Sequence, residues 1–439
     1  MPNAIAAALS RRACLQVGAI GISSLSVASW VTAATSGSAA KSGKSVIMIY
    51  LPGGPSHIDM FDMKPSAPAE IRGEFQPIRT NVPGVEICEL LPQLSRVADK
   101  YSLVRGFLMP GGHDAKEVTT GFKPQSNRPA FGSVISRLQE QTPQPLPPYI
   151  TLIEETNLPF GQDASYLGAT HRPFAFRGPD MQNLALPKGM PQDRLADRVA
   201  LLNRFDQLNR AQDSRGEMAG MDAFTRRALE MVTSSGVRDA FDVTRETQAT
   251  RERYGNDPAS THFLRARRLV EAGVKVVTLC GGWVLNGQSP SNLSNWDTHD
   301  ENFPRMREQL PRFDHALSAL VVDLHQRGLD KDVVVVACGE MGRAPRVGVP
   351  NPGSNATASG RDHWPTGFCF LSGGGLKMGQ VVGETDRRGE AAVGRSTTLQ
   401  NLLATLYHVL SIDPATAFLD QLGRPQTLLD EQRAITALL

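Results

Sequence analysis

The chain is poor in cysteine, with five in 439 residues and none at the close paired spacing of a zinc knuckle. A chain long enough to bury a large core has no need of a disulfide framework. Cys88, Cys280, Cys338 and Cys369 are therefore expected as buried thiols, the last three in or at the ends of apolar runs. Nor is there an excess of charge of either sign. Lys and Arg together number 46 against 44 acidic residues, a net charge of +2, and no basic patch stands out. Nothing in that balance argues for nucleic acid or an anionic membrane surface as a partner, and none is expected. No repeat of solenoid type appears. What remains is the hydrophobic and charged content of an ordinary globular protein, 41% and 21%, at a length that fits one large domain or two medium ones.

The first forty residues stand apart. Ser10-Arg11-Arg12-Ala13-Cys14-Leu15-Gln16 has the form of a twin-arginine export signal, continued by the Gly/Ser-rich run Val17 to Val31 and by Ala33-Ala34. Small and hydroxyl residues make that run a poor membrane span. Residues 1–40 are thus expected to be a signal peptide cut between Ala34 and Ala40. The remainder, 41–439, would be a periplasmic or extracellular protein with no stable membrane span.

Short apolar runs rich in β-branched residues read as strands buried on both faces of a parallel sheet. Val333 to Ala337 is the clearest, with Ser45 to Leu51, Ser102 to Arg105, Tyr149 to Ile153, Val274 to Cys280 and Phe368 to Leu371 beside it. Residues 191–273 are charged and helical, with Leu195, Val199, Leu202, Phe205 and Leu208 at helical spacing, and Phe303 to Leu324 marks one amphipathic helix, with Pro311 as a candidate kink. A closing helix is expected over Thr398 to Leu410. Strands alternating with helices imply a single α/β domain with a mostly parallel central sheet.

The chemistry-bearing residues gather in the loops after these strands: His57 with Asp59, His113 with Asp114, Asp297 with His299 and Asp300, Glu340, and Asp362 with His363. Taken singly, each has a plainer explanation, since polar residues favour loops and Asp297 or Asp300 would serve to cap the helix near Asn302. As a set they can converge, because the carboxyl ends of parallel strands lie on one edge of a sheet. Mixed imidazole and carboxylate ligands suit a divalent metal, with zinc, manganese, iron and calcium all open. The expected ligand set is His57, Asp59, His113, Asp297, His299, Glu340 and His363. A metal there would polarise an ester oxygen and activate water. His171, His262, His315, His325 and His408 lie in helical or turn-rich segments and are given no role.

Six motifs, in order, carry a resemblance to one bacterial family: Val237-Arg238-Asp239-Ala240-Phe241-Asp242, Arg253-Tyr254-Gly255, Ala266 to Gly273, Trp296-Asp297-Thr298-His299, Gly339-Glu340-Met341-Gly342-Arg343 and Gly360-Arg361-Asp362-His363-Trp364. The chain resembles the exported domain of unknown function numbered 1501, whose members are often labelled sulfatase-like and which looks like a branch of the alkaline phosphatase superfamily. The resemblance implies a three-layer α/β fold with a site for one or two metals. It places His57 or Asp59 near the superfamily's metal aspartate after the first strand, Asp297 and His299 at its middle Asp and His, and His363 at its final histidine. Glu340 and Met341 stand where an Asp-His pair is usual, and Gly111, Gly112 and His113 where a nucleophile would be, with Ser56 and Thr119 as the nearest substitutes.

The function implied is an exported metal-dependent hydrolase of sulfate or phosphate esters, acting on an anionic small-molecule or glycan ester, with Arg343 or Arg361 neutralising the anionic group. The alternative is a non-catalytic metal- or glycan-binding member of the same fold.

Overall fold

Each residue of Ser45–Tyr50 is buried, as is each of Val333–Cys338, so both strands must lie inside a sheet covered on both sides. The computed structural model describes residues 43–140, 142, 144–153, 163–176, 184, 194, 197, 228–283, 296–348 and 359–439. The leader and the helical positions Leu195 to Leu208 lie outside these residues. Within them the strands run β1 (Ser45–Tyr50), β2 (Pro77–Arg79), β3 (Glu86–Cys88), β4 (Ser102–Leu108), β5 (Tyr149–Thr151), β6 (Phe174–Ala175), β7 (Val276–Cys280) and β8 (Val333–Cys338). They continue as β9 (Gly342–Arg343), β10 (His363–Trp364), β11 (Thr366–Gly373), β12 (Val381–Val382), β13 (Thr397–Thr398), β14 (Ala417–Leu419) and β15 (Pro425–Thr427).

The central sheet has the order β12-β4-β11-β8-β1-β7-β5-β6, with β13 also on β4. Strands β8, β1, β7, β5 and β6 are mutually parallel. Strand β11 runs against both its neighbours, β8 and β4, and is the only such strand of this sheet among the described residues. The expected α/β class with a mostly parallel sheet is therefore what the chain forms.

Alternation along the strands sorts the core into two layers. Ile47, Ile49, Val277, Leu279, Val335 and Ala337 face one side, where helices Pro258–Glu271 and Asn302–Gln326 supply Phe263, Leu269, Phe313 and Leu317. Val46, Met48, Val276, Val334 and Val336 face the other, where Phe131–Leu138 and Leu399–Val409 supply Val134, Leu402 and Leu406. The last helix begins with a capping box between Thr398 and Asn401. Three layers result.

Strand β4 runs on past Arg105 to Leu108. Its glycine, Gly106, sits at φ +62°, and the pairing with β11 slips between Gly367 and Phe368. The glycine expected to end the strand instead makes an irregularity within it. That extension matters for the site, because it carries the loop bearing His113 to the same edge as the ends of β1, β7 and β8.

Candidate metal centre

Tyr50, the last residue of β1, pairs with Cys280 on one side and Cys338 on the other, so three strands end level. The turn after β1, Pro52 to Pro55, then lies against the loops after both neighbours. A Cβ on Gly53 (φ +90°) would fall 2.6 Å from the backbone nitrogen of Asp297, and one on Gly54 (φ +75°) would fall 2.3 Å from Met341 Cγ. Only glycine fits both the dihedrals and the space. The Gly53 N–H donates to Glu340 Oε1 at 2.9 Å.

His363 reaches this edge by a different route. It precedes β11 and lies in β10, which pairs antiparallel with β9 so that His363 stands opposite Arg343. Because β11 is antiparallel, its first residue, Thr366, pairs with Leu108 at the end of β4. An antiparallel strand thus delivers from its start what parallel strands deliver from their ends.

Three donor atoms form a triangle: His299 Nε2 lies 2.9 Å from His363 Nε2, 3.1 Å from Asp297 Oδ1, and His363 Nε2 lies 3.3 Å from the same oxygen. One Nε2–H can serve only one edge of this triangle fully, and Asp297 Oδ1 also accepts from Arg343. A tetrahedral ion with ligands at 2.0–2.1 Å sets its ligand atoms roughly 3.3 to 3.4 Å apart, close to these edges. The residues therefore fit a divalent cation.

The surroundings support that fit. His299 Nδ1 is 3.1 Å from Asp362 Oδ1, which places its N–H outward and its Nε2 lone pair on the triangle. His113 bridges the outer side, with Nε2 3.4 Å from Asp297 Oδ2 and Nδ1 3.4 Å from Glu340 Oε1. Its ring stands at 90° to that of His363, 4.7 Å away. Glu340 is buried, and its Oε2 has no hydrogen-bond partner.

Burial works against the charge of Asp297, but the Arg343 guanidinium beside it outweighs burial and holds the carboxyl below its ordinary range. Burial, then Arg343, lowers the pKa of His363, leaving a neutral imidazole able to bind a cation. The hydrogen bond to Glu340 raises that of His113.

The structure thus brings together five of the expected ligands, His113, Asp297, His299, Glu340 and His363, with Glu340 joining through His113. It does not bring in His57 or Asp59. His57 is fully buried and its Nε2 is 2.8 Å from the carbonyl oxygen of Gly389. Asp59 is gripped by Arg361, which donates from Nε at 2.7 Å and from Nη2 at 2.9 Å. Both oxygens of Asp59 are held by one guanidinium, whereas Asp297 meets Arg343 through Oδ1 alone and keeps Oδ2 toward His113. Asp362 is the contributor missing from the expected set, although its place beside His363 in a motif was a visible signal.

The expectation for the two arginines also needs correction. Arg343 and Arg361 are both fully buried. Arg343 spends its donors on Asp297 and on the carbonyl oxygens of Gly53, Gly54 and Arg361, and Arg361 on Asp59 and on the carbonyls of Ile71, Ala344 and Pro345. Neither guanidinium is exposed to solvent. Ser56 donates to Asp59 at 2.7 Å and Thr119 to the carbonyl of Lys116 at 3.2 Å, so neither points its hydroxyl at the triangle. Asp297 and Asp300 do not cap the long helix, whose N-cap residue, Glu301, makes no side-chain cap.

Comparison with curated proteins gives no match. Among solved structures the chain is similar to the lipoteichoic acid synthase LtaP of Listeria monocytogenes, at 12% identity and a TM-score of 0.34, covering 85% of this chain and 73% of that one. It is similar to the sulfatase PsFucS1 of Pseudoalteromonas sp., at 10% identity and 0.38, covering 84% and 68%, and to the phosphonate monoester hydrolase SpPMH of Silicibacter pomeroyi, at 13% and 0.34, covering 89% and 75%. Likenesses this distant do not bear on the chemistry of the site. The family model described as protein of unknown function (DUF1501) matches residues 43–439, and with nearly the whole chain inside that match, the protein belongs to this family.

Proposed function

We propose that the protein is an exported hydrolase of sulfate or phosphate esters that works with a divalent ion held by Asp297, His299 and His363. The observation that carries this reading is the triangle of donor atoms with the half-exposed His113 as its outer wall, since three protein ligands beside a solvent-reached group suit a catalytic rather than a closed structural site. When bound, such an ion supplies Lewis acidity toward an ester oxygen. Asp362 fixes the ring of His299, Arg343 keeps Asp297 ionised, and Glu340 orients His113. His113, whose side chain is 49% exposed, is the group that meets an incoming oxyanion, in the place first given to the arginines. The resemblance to the alkaline phosphatase superfamily supports a sulfate or phosphate ester, on a small molecule or a glycan, as the substrate class. Arg11 and Arg12 support the twin-arginine route to the periplasm or beyond, and among the described residues no helix is long and apolar enough to cross a membrane.

A second reading has its own observation. Among the described residues singled out as substitutes for a nucleophile, Ser56 and Thr119 both turn their hydroxyls elsewhere, which favours a non-catalytic metal- or glycan-binding protein. Elemental analysis of protein purified without chelators, followed by assay on a panel of sulfate and phosphate esters, separates the two. The expected result is about one equivalent of zinc, manganese or calcium per chain, with ester hydrolysis lost on chelation. Protein that takes up no divalent metal would overturn both metal readings, whereas loaded but inert protein would favour the second.

A further inference from the structure

We propose that Asp59 and Arg361 form a positioning pair: the guanidinium stands as a built-in cation beneath the metal centre and holds His363 in register with His299 for a single ion. This rests on the metal reading above and deepens it. Arg361 sits where the two imidazole-bearing segments cross. Its backbone N–H donates to the carbonyl of Thr298 at 2.9 Å, and its own carbonyl accepts from Arg343 Nη1 at 3.1 Å. One residue therefore ties the strand carrying His363 to the loop carrying Asp297 and His299, and to the arginine that holds Asp297.

What fixes Arg361 is Asp59. Both carboxylate oxygens of Asp59 take a guanidinium N–H, a two-pronged contact that sets the plane as well as the position. Asp59 in turn accepts from Ser56 Oγ at 2.7 Å and from Asn302 Nδ2 at 3.0 Å, and Asn302 Oδ1 accepts from Thr298 Oγ1 at 2.6 Å. Ser56, Asp59, Thr298, Asn302 and Arg361 are all buried. The network closes on itself from the turn after β1, the loop after β7 and the approach to β11. Oδ2 accepts three of these hydrogen bonds and Oδ1 only the one from Arg361, and the guanidinium already balances the charge of the carboxylate, so a second cation beside Asp59 is disfavoured and the centre takes one.

Metal affinity tests the pair directly, measured by calorimetric titration with zinc and by the visible absorption of the cobalt-substituted protein, on the full chain. Arg361→Met keeps the stem and removes the cation, and is expected to weaken zinc binding roughly ten- to hundred-fold and to alter the cobalt spectrum. Arg361→Lys should recover part of both. If Arg361→Met fails to fold, Asp59→Leu/Arg361→Met removes both charges together, a change buried pairs tolerate far better than loss of one partner, and is expected to fold with the same weakened affinity. Wild-type affinity and spectrum in the folded single or double variant would overturn the inference while leaving the metal centre standing. Two equivalents of zinc in the wild type would overturn it as well. A wild type that binds neither zinc nor cobalt would bring down the metal reading first.

Discussion

Gly360 shows how much of the site depends on the absence of a side chain. A Cβ there would fall 2.2 Å from the carbonyl oxygens of both Thr298 and His299, and backbone cannot yield as a flexible side chain does. Gly360→Ala is expected to cost about 3 kcal/mol in urea unfolding and to part His299 from His363, weakening metal binding. Gly348→Ala, whose Cβ would meet nothing nearer than 3.8 Å, is the control and should be close to neutral. Equal stability of the two variants would contradict the close approach. At this scale the sequence makes the candidates legible, because histidines and carboxylates after apolar runs are easy to see. It does not show which carboxylate is already neutralised. Asp59 and Arg361 are 302 positions apart, and nothing local to Asp59 marks it as paired rather than open, so it reads as a ligand until the fold brings Arg361 to it.

Among the elements, the motifs of the family divide into two groups with different work. Those from Trp296 onward surround Asp297, His299 and His363, whereas Val237 to Asp242, Arg253 to Gly255 and Ala266 to Gly273 meet around Arg267 and its neighbour Arg268, which donates to the carbonyls of Asp239 and Ala240. Arg267 lies at the centre of the charges. That residue is fully buried and reaches Glu246 at 2.9 Å, Glu271 at 2.6 Å and Asp323 at 3.0 Å, while Tyr254 donates to Asp323 at 2.8 Å. The strands were legible from composition alone because burial on both faces leaves little but Val, Ile, Leu and Ala. This ion network was not, since charged residues at helical spacing look like a solvated face until a partner helix covers them. The same long helix, Asn302–Gln326, carries Asp314, which accepts the N–H groups of Gln93 and Leu94 at 2.8 and 2.7 Å. Burial raises its pKa from 3.8 to about 6 in spite of those bonds. A carboxyl raised in the folded state contributes stability that is full below its unfolded value and is lost as pH rises through the folded one. Relative to wild type, Asp314→Asn should therefore gain up to about 3 kcal/mol between roughly pH 4 and pH 7. A stability difference unchanged across that window, measured by urea unfolding, would place the titration elsewhere.

For the molecule as a whole, the export reading rests on residues outside those the structure describes. Replacing Arg11 and Arg12 by lysine is expected to leave the protein in the cytoplasmic fraction, and unchanged export of that variant would remove the twin-arginine route. The fold adds a reason why the route suits this chain. Cys88, Cys280, Cys338 and Cys369 are all buried and in no disulfide, and burial raises the pKa of Cys88 to about 12, so its reactive thiolate is suppressed as well as hidden. Cys338 and Cys369 lie on neighbouring strands, each within the other's electrostatic reach. A chain that crossed a membrane unfolded would present these sulfurs to an oxidant one by one, with several wrong pairings open to it. Once the sheet has closed, these four are no longer presented. If the chain is exported as proposed, packing of the core sets a timetable in which folding comes first and oxidising surroundings second.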